Sequence, residues 1–441
     1  MSARPGLVTP KLGSKRKLKD TLEVPDITQL ELSPPTRKKS ESKGMVLCWG
    51  TGDTGQLGLG EDILVRKKPA VVKKGDLEEE NVVAVRAGGM HTVALTESGR
   101  VYTWGCNDEG ALGREANCME DECVPGLVTQ LTERVIKVCA GDSHTAVLTQ
   151  HGHVYCWGYY RDNSGPLLDE DEKKKDKGEA TPKWKAVCVI KDSSDPVIDI
   201  DSGVDHSVVV TRQGLVWSWG CAEQGQLGRV ARFMSVRGGR RGLDTILAPQ
   251  VVRFNKRKCP GKVIGVFCGA YHTFLKTNLG SYFVFGLNNY GQCGTGSLED
   301  YYCPMPFKWG KDTKILQIAG GLHHTLILDD AGHVYAFGRV HYGRLGLGKL
   351  AEDEDIKTPQ KIESLSDVEM VSAGGACSYA LCTNGQAYAW GMATNLQLSN
   401  GDEDTDAWEP LLVTGKQLEN STLHLIGGGG QHSVALITRE N

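Results

Sequence analysis

The sequence of 441 residues has no run of about 18 consecutive apolar residues, and no apolar stretch follows the basic residues near its start. The first absence argues against a transmembrane helix, and the second argues against a secretory signal. Proline is scarce, with 16 residues, whereas glycine is abundant, with 55. Because 40% of the residues are hydrophobic, this composition indicates a globular fold with many tight turns.

Sequence motifs of catalysis and metal binding are also missing. The chain has no Gly-x-Ser-x-Gly, no Walker loop, no His-Glu-x-x-His and no Cys-x-x-Cys. Its 14 cysteines stand singly, mostly inside apolar runs, which is typical of reduced core residues in an intracellular protein. These absences argue against a hydrolase or a metal enzyme, so we expect no metal and no cofactor.

Charge is unevenly distributed along the chain. Residues 1–44 hold ten Lys and Arg against five Asp and Glu and no aromatic residue, while the remainder has a net charge of −9. So little apolar surface cannot offset the entropy of ordering, and we expect a disordered basic tail before one folded domain at 45–441. Basic clusters bind acidic import receptors or nucleic-acid phosphate, although a solvated linker without a partner is an alternative. The clustered residues are Lys15, Arg16, Lys17, Lys19, Arg37, Lys38 and Lys39.

Seven repeats follow the tail. A Gly-x-x-His-Thr-like pattern precedes six of seven aromatic-Gly pairs and recurs once more near the end; in the repeat at 375–380, Ser378 is taken to replace the histidine. Gly-Gln-Leu-Gly follows the pair at 55–58 and 225–228, with variants in three other repeats. The pairs begin at Trp49, Trp104, Trp157, Trp219, Phe285, Phe337 and Trp390.

The repeats predict β-hairpins. In the second repeat, the strand-like runs Thr92–Leu95 and Val101–Trp104 flank a turn that contains Gly99. Seven such units predict an all-β fold, a closed seven-bladed β-propeller behind the disordered tail. The pattern recurs at 145–157, 207–219, 273–285, 325–337 and 379–390.

Two strand-like segments at the ends of the repeat array lack a partner. Ser433–Ile437 has no hairpin strand after it, and Met45–Trp49 has none before it. Pairing them would close the ring and remove two open sheet edges, which would otherwise favour aggregation. We therefore expect one closed domain.

Antiparallel pairing places the Gly-x-x-His turn and the aromatic-Gly pair at the same end of each hairpin, so their loops converge on one rim. Residues shared by the repeats are expected to serve the fold, and we interpret the pattern histidines as hydrogen-bonded structural residues. Residues that break the pattern are better candidates for binding a partner. Asp142, Asp205 and His323 stand out, although capping of local backbone N–H groups is an alternative for each aspartate.

Two repeats deviate further from the pattern. The third has Tyr159 to Gly165 in place of Gly-Gln-Leu-Gly, followed by a charged insert at 169–179. This region is either a tolerated surface loop or a hairpin that projects into a partner. The fourth repeat is rich in arginine, including Arg237, Arg240 and Arg241, and arginine suits carboxylate clusters and phosphates. It predicts contact with nucleic acid or with an acidic protein.

At this level of detail, residues 45–441 resemble the family of the regulator of chromosome condensation, seven-bladed exchange factors for the small GTPase Ran. The resemblance is carried by Cys106–Arg114, Ala140–Thr145 and Gly415–Asn420. It implies a guanine nucleotide exchange factor without covalent chemistry, which promotes GDP release from Ran. It also implies a nuclear, chromatin-bound protein that is cytoplasmic only in transit and supports nucleocytoplasmic transport and the assembly of the mitotic spindle and nuclear envelope. We expect a monomer without a membrane partner.

The resemblance also implies roles for individual residues. The segment Arg161, Asp162, Asn163, Ser164 and Gly165 matches the family's wedge, which presses on the phosphate-binding region of the GTPase. The basic tail matches segments that contact DNA and an import receptor. The residues implied to face Ran on the rim are Asp53, His91, Asp142, Asp205, Arg229, His323, Asp406 and His432.

Among these residues, Asp142, Asp205 and His323 are assigned to the exchange step. We expect the aspartates to act mostly in docking, and His323 and the wedge to act in displacing the nucleotide. In the fourth repeat, the resemblance implies that Arg237, Arg240 and Arg241 anchor the protein on the acidic patch of the nucleosome.

Two other functions of such a fold are alternatives. A repeat scaffold without exchange activity would carry charge-reversed or apolar residues at the rim positions, whereas these are acidic and polar. A light sensor of the same fold uses a Gly-Trp-Arg-His-Thr motif, and the nearest segment here is Gly269–Thr273, which lacks the Trp-Arg pair.

Overall fold

The computed structural model describes residues 42–162, 165–167, 184–236, 243–254, 261–349, 354–401 and 404–439. The strands of its first half are β1 Gly44–Thr51, β2 Val65–Val71, β3 Val82–Ala87, β4 His91–Thr96, β5 Val101–Gly105, β6 Gly126–Leu127, β7 Val135–Ala140, β8 His144–Thr149, β9 Val154–Gly158, β10 Arg161–Asp162, β11 Gly165–Pro166, β12 Val187–Ile190, β13 Val197–Ser202, β14 His206–Thr211, β15 Val216–Gly220 and β16 Gln250–Val251. Those of its second half are β17 Val263–Cys268, β18 His272–Thr277, β19 Tyr282–Gly286, β20 Tyr301–Phe307, β21 Ile315–Gly320, β22 His324–Asp329, β23 Val334–Gly338, β24 Ile356–Lys361, β25 Val368–Ala373, β26 Cys377–Cys382, β27 Ala387–Gly391, β28 Ala407–Leu412, β29 Ser421–Gly428 and β30 His432–Arg439.

Helices are few and short in these ranges. The α-helices are α1 Met119–Glu122, α2 Arg232–Val236 and α3 Leu243–Leu247, and 3₁₀ turns cover Asp76–Glu79 and His341–Gly343. Within the described part of the chain, none of them has the length and apolar character of a membrane-spanning helix.

The strands form seven four-stranded antiparallel sheets and one separate two-stranded hairpin, β10–β11. We number the sheets as blades by their aromatic-Gly pairs, so that blade 1 contains Trp49 and blade 7 contains Trp390. In blade 2 the order is β3-β4-β5-β6, and the end of β3 lines the central channel together with the corresponding strands of other blades. The predicted seven-bladed propeller and its hairpins are confirmed.

Blade 1 closes the ring with strands from both ends of the domain. Its order is β2-β1-β30-β29, and β1 pairs with β30 so that Met45 lies opposite Ile437 and Trp49 opposite Ser433. The predicted closing pair is therefore confirmed. The pairing begins one residue earlier than expected, at Gly44 opposite Thr438.

The inner and outer strands of the blades differ in character. The inner strands carry an irregularity in register near their first residues, as between Val82 and Ala84 of β3, and such bulges increase the local twist. Outer strands carry proline and lysine, as in the sequences VRKKPAV of β2 and IKTPQK of β24. These residues protect the exposed edge of a blade from pairing with another chain.

The backbone conformation explains why glycine follows the aromatic residue in each aromatic-Gly pair. Gly105 has a φ of +109°, and a Cβ atom there would lie 2.5 Å from the carbonyl oxygen of Met90, which precedes the pattern histidine His91. A side chain at this position would therefore both strain the backbone and collide with the neighbouring strand.

The pattern histidines connect neighbouring blades. The Nε2 atom of His432 lies 2.7 Å from the Oγ1 atom of Thr92 in the next blade, and this hydroxyl donates to the carbonyl oxygen of Gln56. His432 therefore donates its Nε2 proton to this hydroxyl. Burial lowers the pKa of His432 to about 3, so at neutral pH the ring is the uncharged tautomer with its proton on Nε2. The predicted structural role of these histidines is confirmed. The other pairs are His91 with Thr145, His144 with Ser207, His206 with Thr273, His272 with Thr325, and His324 with Ser378.

Blade 7 corrects the alignment of one repeat. Cys377 lies opposite Gly391, as His91 lies opposite Gly105, so Cys377 replaces the histidine and Ser378 is the counterpart of Thr92. The assignment of Ser378 to the histidine position was wrong by one residue. The hydroxyl of Tyr379 lies 2.8 Å from Ser433 Oγ in blade 1 and makes the contact that Cys377 cannot make.

The tryptophans of the repeats form a second set of links between blades. Trp104 donates its indole N–H to the carbonyl oxygen of Gln56, the glutamine of Gly-Gln-Leu-Gly in blade 1, at 3.0 Å. One such bond contributes about 1 kcal/mol, whereas burying roughly 200 Å² of an aromatic side chain contributes up to about 5 kcal/mol. Packing therefore stabilises the seam between blades, and the hydrogen bond fixes its register. Equivalent bonds join Trp49 to Gln397, Trp157 to Ala111 and Trp390 to Arg344.

Candidate functional site

A short hairpin stands on the rim at the predicted wedge. In it, Arg161 pairs with Pro166 and Asp162 with Gly165, and the N–H of Leu167 donates to the carbonyl oxygen of Tyr160 at 2.8 Å. We call this hairpin, residues 160–167, the wedge hairpin, and the end of the propeller that carries it the wedge rim. Its tip residues Asn163 and Ser164 lie outside the described residues.

Asp205 holds the base of the wedge hairpin. It lies in the loop before β14, is 9% exposed, and its Oδ1 atom accepts a hydrogen bond from the backbone N–H of Arg161 at 2.7 Å. Burial raises the pKa of Asp205 to about 7; the bond from Arg161 opposes this rise, and the charge of Asp142 adds to it. The carboxylate is therefore placed to fix the hairpin, and little of its surface is free for a partner.

The side chain of Arg161 forms a second connection. Its guanidinium lies 2.8 Å from Glu109 Oε1, on the loop that follows the aromatic-Gly pair of blade 2. Asp142, Arg161, Asp162 and Asp205 all line one depression of about 490 Å³ at the mouth of the channel. The structure thus brings together the two predicted aspartates and the first half of the wedge.

His323 lies on the same rim, in blade 6. The centroid of its ring lies 4.9 Å from that of Tyr290. The guanidinium of Arg339 also contacts Tyr290 and lies 4.7 Å from the centroid of the tyrosine ring. Burial, together with the nearby positive charges of Arg344 and Arg339, lowers the pKa of His323 to about 4. His323 is therefore neutral at physiological pH, and it is half-buried.

The remaining rim candidates divide into three groups. Asp53 is exposed, whereas the side chains of His91 and His432 are 1% and 0% exposed and are committed to the links between blades. The half-buried Asp406 accepts a hydrogen bond from the backbone N–H of Ala393 at 2.9 Å and so has the capping role that was the alternative for such aspartates. Their contact with a GTPase stays a prediction.

Arg229 connects the loop after the aromatic-Gly pair of blade 4 to α3. Its guanidinium donates to the carbonyl oxygens of Thr245 and Ile246 near the end of α3, at 3.0 and 3.3 Å. Together with Asp162 it lines a second groove of about 770 Å³ beside the wedge hairpin. Burial lowers the pKa of Arg229 to about 10, so it stays charged at neutral pH.

Several predicted residues lie outside the described residues. These are the nucleosome anchors Arg237, Arg240 and Arg241, the charged insert at 169–179, and the basic tail with its import residues. Among the residues that the structure does describe, no cluster of three or more His, Cys, Asp or Glu side chains is placed to hold a metal ion.

Sequence reasoning missed two residues of the site. Tyr160 was noted only as part of the deviating loop, and Glu109 only as part of a matching segment. The signal for Tyr160 was the loss of Gly-Gln-Leu-Gly after Trp157, because that loop supplies a carbonyl acceptor in other blades. No comparable signal marks Glu109.

The chain is similar in sequence to known proteins along almost its whole length. A family model described as the RCC1-like domain matches residues 45–435. The human protein named regulator of chromosome condensation is 43% identical over 435 residues, which cover 98% of this chain and 99% of that protein. The Saccharomyces cerevisiae guanine nucleotide exchange factor SRM1 is 29% identical, with 88% of this chain and 86% of that protein covered.

Solved structures of Prp20 from yeast share the architecture. One, reported together with the binding of Prp20p from Saccharomyces cerevisiae to Gsp1p and histones, is 28% identical, has a TM-score of 0.79, and covers 91% of this chain and 93% of that one. In another, Kap60 is bound to Prp20; it is 26% identical, with a TM-score of 0.81 and coverage of 98% and 97%. With its closed ring, its wedge hairpin and these matches, the chain belongs to the family of the regulator of chromosome condensation, and its relatives include the guanine nucleotide exchange factor SRM1.

Proposed function

We propose that this protein is the nucleotide exchange factor of the small GTPase Ran and acts while bound to chromatin. The observation that carries the proposal is the wedge hairpin of blade 3, which two carboxylates from the flanking blades, Glu109 of blade 2 and Asp205 of blade 4, hold at the mouth of the channel. The family resemblance of the segment from Arg161 to Gly165 supports Ran as the partner, as does the exchange-factor name of the SRM1 relative.

The mechanism follows from the thermodynamics of exchange. The protein accelerates GDP release by binding the nucleotide-free GTPase more tightly than the loaded form, since only a difference in affinity can shift that equilibrium. In a GTPase, Mg²⁺ and a P-loop lysine hold the phosphates. The acidic mouth with Asp142 and Asp162 competes for such cationic groups, and the wedge hairpin displaces the loop that carries them.

Chromatin binding would use two basic segments, the arginine-rich segment of blade 4 and the N-terminal tail. In the sequence, Arg237, Arg240 and Arg241 fall between α2 and α3. The helix α2 exposes Phe233 and Met234, at 70% and 61%. We propose that this segment docks on the histone acidic patch and that the basic tail contacts DNA and an import receptor. The reported binding of Prp20p to histones and the structure of Kap60 bound to Prp20 support these partners.

The proposed contacts with Ran, chromatin and an import receptor lead to a proposed cellular role. The protein works as a nuclear monomer, cytoplasmic only in transit, and its exchange activity on chromatin supports nucleocytoplasmic transport and the assembly of the mitotic spindle and nuclear envelope.

The decisive experiment is release of a fluorescent GDP analogue from Ran in the presence of this protein. We expect strong acceleration at sub-micromolar protein and none with an unrelated small GTPase. A release rate equal to the spontaneous one at micromolar protein would remove the proposed function and leave a binding scaffold.

A further inference from the structure

We propose that Tyr160 is a positioning residue, which locks the seam between blades 3 and 4 and thereby holds the wedge hairpin in the orientation that docks on the GTPase. The inference rests on the proposed exchange function and concerns a residue outside the predicted site. It starts from an irregularity in the links between blades.

The seam between blades 3 and 4 lacks the usual acceptor for a tryptophan. Trp104 and Trp157 each donate to a backbone carbonyl oxygen of the loop that follows the aromatic-Gly pair in the preceding blade. After Trp157 that loop is replaced by the segment leading into the wedge hairpin. Trp219 instead donates its indole N–H to the hydroxyl of Tyr160, at 2.6 Å.

The hydroxyl of Tyr160 serves a second group at the same seam. It lies 3.0 Å from the Oγ atom of Ser207, which in turn lies 3.2 Å from the Nε2 atom of His144. The ring of Tyr160 packs 4.2 Å from that of His144 between centroids, and the side chain is 9% exposed. A single side chain thus takes over both links of a regular seam, the tryptophan link and part of the histidine link.

The backbone of Tyr160 is also the root of the wedge hairpin. Its carbonyl oxygen accepts from Leu167 N–H at the end of the hairpin, and the next residue, Arg161, is held by Asp205. The wedge hairpin therefore leaves the ring from a residue whose side chain is fixed between two blades. Ordering a hairpin before docking reduces the entropy lost on binding.

This arrangement predicts a specific kinetic effect. The substitution Tyr160→Phe keeps the ring but removes the hydroxyl, so that the Trp219 N–H loses its buried acceptor and the hairpin root is less constrained. We expect the Ran concentration for half-maximal exchange to rise about fivefold, the effect of one or two lost hydrogen bonds, and the maximal rate to change less than about twofold. Amide exchange at Arg161 and Leu167 should become faster.

A matched control separates positioning from general stability. Trp104→Phe removes the same type of indole donor at a regular seam, and phenylalanine is the natural residue at this position in blades 5 and 6, as Phe285 and Phe337. We expect Trp104→Phe to lower the melting temperature about as much as Tyr160→Phe. It should leave both the half-maximal Ran concentration and amide exchange in the wedge hairpin unchanged.

The experiment uses the full chain, Ran loaded with a fluorescent GDP analogue, and hydrogen exchange of the free protein. If Tyr160→Phe leaves the half-maximal concentration and the two amides unchanged, or if Trp104→Phe changes them equally, Tyr160 has only a structural role and the proposal is wrong. Failure of the wild-type protein to accelerate release would instead contradict the proposed function. In that case the amide exchange of the free protein still decides whether Tyr160 holds the hairpin.

Discussion

The carboxylate of Asp205 accepts a hydrogen bond from the backbone N–H of Arg161 at 2.7 Å, which ties the loop before β14 of blade 4 to the first strand of the wedge hairpin. The sequence predicts Asp205 to be a docking group, but its buried carboxylate holds the wedge hairpin in place. Its position connects the stability of the ring with the orientation of the wedge, and both can be measured.

Replacing Asp205 by asparagine should alter the pH dependence of stability. The folded protein raises the pKa of Asp205 to about 7, against about 3.9 in an unfolded chain, so between these values the folded state binds more protons. Stability from this group therefore falls as pH rises from about 4 to 7. The amide of Asp205→Asn keeps an acceptor for Arg161 without the buried charge, although Asp142, Asp162 and Arg161 still face it. The variant should melt higher than wild type at pH 8.

Melting curves from pH 5 to pH 8 test this expectation. The difference between Asp205→Asn and wild type should shrink as the pH falls, because the wild-type carboxyl becomes neutral. A difference that is constant over this range would show that the Asp205 charge is not the cause.

Removing the side chain of Asp205 should weaken docking. In Asp205→Ala the N–H of Arg161 loses its acceptor, so the wedge hairpin must be ordered during docking at a cost of about 1–3 kcal/mol, or roughly 5- to 150-fold in affinity. We expect the Ran concentration for half-maximal exchange to rise by such a factor, with a smaller change in the maximal rate. Asp312→Ala, which removes an exposed aspartate just before the start of β21, at the end of blade 6 opposite the wedge rim, is the control. An effect confined to the maximal rate would contradict this role.

His323 should contribute to displacement of the nucleotide as a neutral group. Its pKa of about 4 leaves the ring uncharged from pH 6 to pH 8. We expect His323→Ala to lower the maximal exchange rate about tenfold or more, by the same factor at both pH values. His341→Ala, at another half-buried histidine of the same blade, should have little effect. A defect that appears only at pH 6 would indicate that the charged imidazolium is the active form.

Closure of the ring predicts an asymmetry between two truncations. Deleting Met45–Trp49 removes the middle of blade 1, because β1 pairs with both β2 and β30. Thermal unfolding should shift down by more than about 10 °C or become non-cooperative, whereas deletion of residues 1–40 should leave it unchanged. Equal melting of both truncations and the full chain would refute the role of β1 in closing the ring.

Nucleosome binding should depend strongly on salt and on the arginine-rich segment. Ionic contacts with phosphate and carboxylate release counterions, so affinity should fall steeply between 50 and about 200 mM salt. The triple change of Arg237, Arg240 and Arg241 to alanine should weaken nucleosome binding and spare exchange on free Ran. Changing Lys311 and Lys314 to alanine is a control of similar charge. Equal loss of both activities in the triple variant would place this segment on the GTPase side.

The fold could be predicted from the sequence because each repeat carries residues with a conformational requirement. The glycine after each aromatic residue adopts positive φ, and the hairpin turns contain glycines such as Gly99 at +85°. The one alignment error arose in blade 7, where Gly374 and Gly375 are adjacent and only the pairing of Cys377 with Gly391 shows which begins the pattern. The outer strands were not predicted, because their proline and lysine residues lower any strand signal.

The site was less predictable than the fold. Asp142, Asp205 and His323 could be found as departures from the repeat, but a departure identifies a residue and not what it contacts. That Asp205 bonds Arg161, or that Tyr160 takes the place of a carbonyl oxygen, depends on how loops from different blades meet. The repeat motif specifies residues within a single blade and does not predict the contacts between loops of different blades.

The direction of β1 determines the side from which the chain enters the ring. Gly50 lies opposite His432 at the wedge rim, so Gly44, opposite Thr438, lies at the other end of the strand, about 20 Å away through the depth of the blade. A partner that binds the chain just before Gly44 therefore lies at the end of the propeller opposite the wedge rim. A partner bound there leaves the wedge rim accessible. The propeller can therefore bind one partner through the segment before Gly44 and a second partner at the wedge rim at the same time.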